Sequence, residues 1–184
     1  QQLRELIRQN FNHPSIMFWS IGNEQGSNDT ATNTLLDTLA HLVATEDPGR
    51  ISTYAQLSGN SDARVTHTQT AGFNVYFGWY GYLPTDFGPW ADGLHASEPT
   101  RTIAVSEYGA GASIYQHQDN PTAPSSGGTF HPEEYQALLH ESTWKQIQAR
   151  PYLWGTFVWN MFDFASDGRH EGDTPGRNDK GMVT

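Results

Sequence analysis

The chain contains no cysteine, which removes disulfides, zinc thiolates and a thiol nucleophile together. Positive charge is scarce as well: 10 Lys and Arg stand against 20 Asp and Glu, for a net charge of -10. With no basic stripe, nucleic acid is not an expected partner, because phosphate binding needs concentrated positive charge. No stretch approaches about 20 consecutive apolar residues, so no membrane-spanning helix and no membrane partner are expected. The eight histidines show neither His-x-His nor His-Glu-x-x-His spacing, and Gly26 and Gly127-Gly128 lack a Gly-x-x-x-x-Gly-Lys frame. Neither a protein-built zinc site nor a phosphate loop is therefore expected. A signal peptide is missing too, but the chain opens inside a helix-like pattern, so its natural start is expected upstream.

Against these absences stand two strand-like runs that end in carboxylates. Ile16-Met17-Phe18-Trp19-Ser20-Ile21 is apolar and stops abruptly in Gly22-Asn23-Glu24. Thr102-Ile103-Ala104-Val105-Ser106 stops in Glu107-Tyr108-Gly109. Short apolar runs bounded by breakers read as buried strands. In a barrel of parallel strands the chemistry sits at the strands' C-terminal ends. Two strand-end glutamates are the equipment of a glycosidase. Aromatics form 12% of the chain, with six tryptophans, and their faces suit the C–H faces of sugars, although they more often fill cores.

Taken in order, Leu3, Leu6, Ile7 and Phe11 have helical spacing until His13-Pro14 breaks it. After Glu24, Ser27-Asn28-Asp29 offers an N-cap for a helix carrying Leu35, Leu36, Leu39, Leu42 and Val43, stopped by Pro48-Gly49. Ile51–Ala55 and Gly72–Phe77 read as strands. Leu83, Phe87, Trp90 and Leu94 make a helical stripe interrupted by Gly88-Pro89. Residues 116–130 form a long loop rich in Pro, Ser, Gly and Thr, a length that is often functional. Pro132-Glu133-Glu134 opens a helix bearing Tyr135, Leu138, Leu139 and Ile147, and Trp154–Asn160 is the last strand before a charged, glycine-rich loop. Strands alternating with helices give an α/β protein with a parallel sheet of five strands.

Four motifs then occur in order: Trp19-Ser20-Ile21-Gly22-Asn23-Glu24, Asn74-Val75-Tyr76-Phe77-Gly78-Trp79-Tyr80, Ser106-Glu107-Tyr108-Gly109-Ala110 and Phe157-Val158-Trp159-Asn160. Together they resemble the catalytic barrel of glycoside hydrolase family 2, which includes β-galactosidases, β-glucuronidases and β-mannosidases. The resemblance covers nearly the whole chain. It implies a (β/α)8 TIM barrel of which residues 1–184 hold roughly the last five strands, the first three strands and the preceding sandwich domains being absent. At 184 residues the chain is short for a full barrel of about 250.

The resemblance further implies that Glu24 ends the fourth barrel strand as general acid/base, and Glu107 the seventh as nucleophile of a retaining mechanism. Retention needs carboxyl groups only about 5 Å apart. Asn23 would bond the sugar's 2-hydroxyl, Tyr76 would hold the nucleophile's oxygen, Trp159 would floor the sugar, and Trp79 and Tyr80 would line the site. Asn74 belongs with the substrate-binding set.

For the sugar, residues 162–176 and 109–115 most resemble bacterial β-galactosidases, which is the main expectation. Asn178-Asp179-Lys180 instead matches the Asn-x-Lys pattern with which β-glucuronidases read a sugar carboxylate; outside that context it would be a surface turn. A non-catalytic carbohydrate-binding half-barrel is the alternative from another class. No cofactor or metal is assigned, since ligands for the magnesium or sodium of some family members would lie mostly before Gln1. The expected partners are a β-linked sugar and further copies of the protein, and the expected compartment is bacterial cytoplasm or periplasm. The 184 residues by themselves are expected to be inactive or weakly active, because an unclosed sheet leaves two edges.

Overall fold

The computed structural model describes residues 1–183. Helix α1 (Gln2–Asn10) leads into strand β1 (Phe18–Asn23), α2 (Thr30–Glu46) and β2 (Ile51–Leu57). Strand β3 (Thr70–Asn74), α3 (Phe87–Ser97), β4 (Ile103–Tyr108), α4 (Glu133–Gln148) and β5 (Leu153–Val158) follow. A two-residue pair, β6 (Phe164–Ala165) and β7 (Arg177–Asn178), closes the chain as an antiparallel ladder. The five main strands form one sheet in the order β1-β2-β3-β4-β5, every pair parallel. All five expected strands are thus present, with ends shifted by a few residues.

The helices form where the sequence supplies their ends. Asp29 Oδ1 accepts from the Thr32 backbone N–H at 2.8 Å and caps α2, satisfying one of the orphan donors of a helix start. Helix α3 departs from expectation. Gly88-Pro89 does not interrupt it, because Pro89 lies in the first turn, where its missing N–H has no intrahelical acceptor to lose. A single turn of 3-10 helix, Pro84–Asp86, precedes it. Another, Ala63–His67, occupies a stretch where no element is expected, its start capped by Asp62.

Strand β3 is buried along its whole length, as the centre of a five-stranded parallel sheet should be. Strand β2 alternates instead, with Ser52, Tyr54 and Gln56 buried. The core gathers Phe73, Ile103 and Val105 from the sheet with Ile7, Leu36, Val43, Phe87 and Leu94 from the helices. The expected strand over 72–77 ends early, at Asn74. The chain turns there: the Tyr76 carbonyl accepts from the N–H groups of Trp79 and Tyr80, so residues 75–82 become the loop over the sheet's C-terminal edge.

Candidate active site

The strand ends converge. Glu24 lies one residue past β1 with φ of 52°, a left-handed conformation that is rare outside glycine and is held only by surrounding structure. Its backbone N–H donates to the Ala55 carbonyl of β2 at 2.9 Å. Asn74, at the end of β3, donates its amide to Glu24 Oε1 at 2.8 Å and to Asn23 Oδ1 at 3.1 Å. The Ser106 hydroxyl donates to Asn74 Oδ1 at 2.6 Å, which fixes the amide's orientation. Ser106 has room because position 72 is glycine: a Cβ there would lie 2.7 Å from the serine side chain.

Glu107 is tied in from the other side. Tyr76 donates its phenol to Glu107 Oε2 at 2.7 Å. Burial pushes the Glu107 carboxyl above its ordinary range; the Tyr76 hydrogen bond opposes this, the Glu24 charge adds to it, and Asn74 and Lys180 work against it. The Tyr76 phenol is driven far up, first by burial and then by the Glu107 hydrogen bond. The charge of Glu24 is therefore felt at Glu107.

They face a cavity of about 510 Å³ lined by Asn23, Glu24, Asn74, Tyr76, Tyr80, Glu107 and Trp159, with Leu57, Phe77, Tyr82 and Arg169 on its walls. Trp159 follows β5; its N–H bonds to the Tyr108 carbonyl at 2.8 Å and its ring meets Phe164 edge-on at 5.9 Å. Eight of the ten expected residues are Asn23, Glu24, Asn74, Tyr76, Tyr80, Glu107 and Trp159 on the cavity and Lys180 just behind it. Trp79 is a correction. It does not line the cavity but is 4% exposed, packed with Ala110, Tyr135 and Leu139, because the turn at 76–80 aims Tyr80 outward and Trp79 in.

Asn178 and Lys180 are not a surface turn. Both are 1% exposed. Asn178 Oδ1 accepts from the Lys180 N–H, and Lys180 Nζ lies 5.5 Å from the Trp79 ring centre and 5.3 Å from that of Tyr80. Among the described residues that ammonium has no hydrogen-bond acceptor. Asp179 between them pairs with buried His131, whose other ring nitrogen meets the Ser125 carbonyl at 3.1 Å. This pins the 116–130 loop under the site. Sequence reasoning missed Ser106, Arg169, Leu57, Tyr82 and the His131–Asp179 pair, although Ser106 and Asp179 lie inside quoted motifs and Arg169 inside the stretch 162–176. Among the described residues no three His, Asp or Glu side chains are placed to hold a metal ion.

Known proteins resemble this chain in sequence and fold. The sequence model of the glycosyl hydrolases family 2 TIM barrel domain matches residues 1–175. A beta-glucuronidase of Bacteroides fragilis is 47% identical over 185 residues, across all of this chain and 26% of that protein. Among solved structures, a candidate beta-galactosidase from Bacteroides fragilis superposes with a TM-score of 0.95 at 37% identity, over 100% of this chain and 28% of its own. An FMN-binding beta-glucuronidase from Facaelibacterium prausnitzii L2-6 gives 0.93 at 40% identity, over 99% and 28%. The chain thus spans about a quarter of the length of the proteins it matches.

Proposed function

The chain belongs to glycoside hydrolase family 2, and from that premise we propose that the protein containing it is a retaining exo-β-glycosidase that hydrolyses β-D-glucuronides. The observation that carries the choice of sugar is the Lys180 ammonium, buried beside the cavity without an acceptor among the described residues. A buried unpaired charge is costly. A uronic acid carboxylate would supply the missing partner, whereas a galactoside brings no charge. The 47% identical relative is named a beta-glucuronidase, which supports the same sugar and displaces the expected galactoside to second place. The resemblance of residues 162–176 to galactosidases, and the name of one structural relative, favour that second reading.

In this mechanism a Glu107 oxygen attacks the anomeric carbon as the bond to the leaving oxygen breaks, and Glu24 passes its proton to that oxygen. Tyr76 holds Oε2 of Glu107, leaving the other oxygen to attack. Glu24, now a carboxylate, takes a proton from water as the water displaces Glu107 from the same face that the aglycone left. The sugar departs with its configuration retained and both glutamates restored. Asn74 keeps Glu24 aimed, while Asn23 meets the 2-hydroxyl and Trp159 floors the ring. Two glutamates lining one cavity speak against a non-catalytic sugar-binding role.

The test is Lys180→Ala assayed on matched glucuronide and galactoside. A fall of about a hundredfold in the glucuronide-to-galactoside ratio of kcat/KM is expected, about 3 kcal/mol of charge-assisted bonding. An unchanged ratio would overturn the assignment.

A further inference from the structure

The lysine assigned above to the sugar's carboxylate has no side-chain hydrogen bond of its own among the described residues. What aims it must therefore act through its neighbours. The chain is gripped there: the Ala112 N–H donates to the Asp179 carbonyl at 2.9 Å, and the Asn160 N–H to the Lys180 carbonyl at 3.0 Å. The Asp179 side chain meets His131, which is completely buried. The same imidazole stands edge-on to Trp79 with ring centres 4.8 Å apart, and the Lys180 ammonium lies against that indole. One histidine thus touches both the residue before the lysine and the ring beneath its charge.

Hydrogen placement makes the anchor specific. His131 Nε2 faces the Ser125 carbonyl at 3.1 Å, and Nδ1 faces an Asp179 carboxyl oxygen. A carbonyl only accepts, so Nε2 carries a hydrogen, and a further proton is shared between Nδ1 and the carboxyl. Wherever that proton rests the pair is neutral, so it anchors the chain without offering Lys180 a counter-charge. Residues 116–130 wrap the histidine: Gln116 Oε1 accepts from its backbone N–H at 2.6 Å, and the Gly128 carbonyl accepts from the Gly172 N–H at 2.8 Å. None of the described residues of that loop lines the cavity. We propose that His131 is a positioning residue for sugar selection, holding the Lys180 ammonium through Asp179 and Trp79 where a sugar carboxylate meets it. The 116–130 loop then serves selectivity by holding His131, without touching the sugar. This rests on the glucuronide reading above. A displacement of about 1 Å is enough to spoil such a contact, and a uronate feels that loss where a neutral galactoside does not.

The experiment uses the full-length protein that carries this chain, as wild type, His131→Gln and Gln116→Ala. The readout is kcat/KM on 4-nitrophenyl β-D-glucuronide and on the matching β-D-galactoside. In His131→Gln the glucuronide value should fall about tenfold, mainly through KM, with the galactoside value held within about twofold. An equal fall on both sugars, the mark of a purely structural residue, overturns the proposal, and so does an unchanged glucuronide value. Gln116→Ala loosens the loop but leaves the buried pair whole, so it tests the same link where His131→Gln fails to fold. There the glucuronide-to-galactoside ratio should fall about threefold, and an unchanged ratio overturns the role of the loop. Reductive methylation of Lys180, read by mass spectrometry of its peptide, reports on the lysine without any sugar. Protection in the wild type and modification in His131→Gln is the expected pattern; equal protection overturns the positioning role. Should the wild type hydrolyse galactosides and not glucuronides, the sugar assignment falls, and methylation alone decides what His131 does.

Discussion

The phenol of Tyr76 lies 2.7 Å from Oε2 of Glu107 and donates to it, although the two residues belong to different strand ends, 31 positions apart in the chain. The bond stabilises the ionised carboxylate that attacks in the proposed mechanism, inside surroundings that otherwise favour the neutral acid. Tyr76→Phe removes that donor and keeps the ring. We expect kcat to fall about 10- to 100-fold, equivalent to about 1.5–3 kcal/mol for a hydrogen bond to a charged group. A pH profile of kcat/KM should show its acidic limb moved to higher pH. An unmoved limb with full activity would remove Tyr76 from the mechanism.

Glu107 itself should trade stability for chemistry. Because burial raises its folded pKa above the unfolded value, its contribution is favourable below the unfolded value and is lost as pH rises through the folded one. At neutral pH it is a net cost. Glu107→Gln should therefore abolish turnover while raising Tm, by about 2–4 °C for each kcal/mol recovered. Thermal melts at pH 7 and pH 4 check it, since the gain should shrink at the lower pH.

His131 and Asp179 are both fully enclosed. Asp179 is hemmed by two glycines, Gly111 and Gly172, where an added Cβ would lie about as near as 2.5 Å and 2.6 Å to its carboxyl oxygens. His131→Leu leaves that carboxylate without its imidazole, a loss of about 3–5 kcal/mol. Adding Asp179→Leu should recover much of the loss, and urea melts of the two variants provide the comparison. A single variant as stable as wild type would show the pair to be dispensable.

His140 gives an acid-sensitive contribution. Burial holds its pKa down at about 4, so the folded imidazole resists a proton that the unfolded chain accepts near pH 6.5. Its contribution is whole above that value and is lost as pH falls toward 4. About 1–2 kcal/mol should disappear between pH 7 and pH 5. His140→Phe should flatten that part of the urea stability profile; an equally steep profile in the variant would assign the acid sensitivity elsewhere.

Much of this was legible in sequence, and the reasons are local. Apolar runs that stop in Gly-Asn-Glu or Glu-Tyr-Gly announce strand and site together, and Asp29 announces its helix. What escaped was set by geometry that neighbours in sequence do not carry. Trp79 and Tyr80 are adjacent and chemically alike, and only the turn after Asn74 decides which of them meets the cavity. The Asn-x-Lys pattern marks Lys180, but not its burial, because lysine is almost never buried. Leu57, Tyr82 and Arg169 come together only because β2, β3 and β5 deliver their loops to one edge.

Neighbouring strands lie about 4.8 Å apart, so a flat sheet would hold the ends of β1 and β4, three steps away, about 14 Å from each other. Yet Asn74 touches Glu24 from β3, and the charge of Glu24 reaches Glu107 on β4. The sheet is rolled, and the gap between the carboxyl groups measures how tightly. Reactivity here is thus a property of curvature as much as of side chains. A single added methyl at Gly72, wedged 2.7 Å from Ser106, would open the roll and register as lost chemistry before it registered as lost fold.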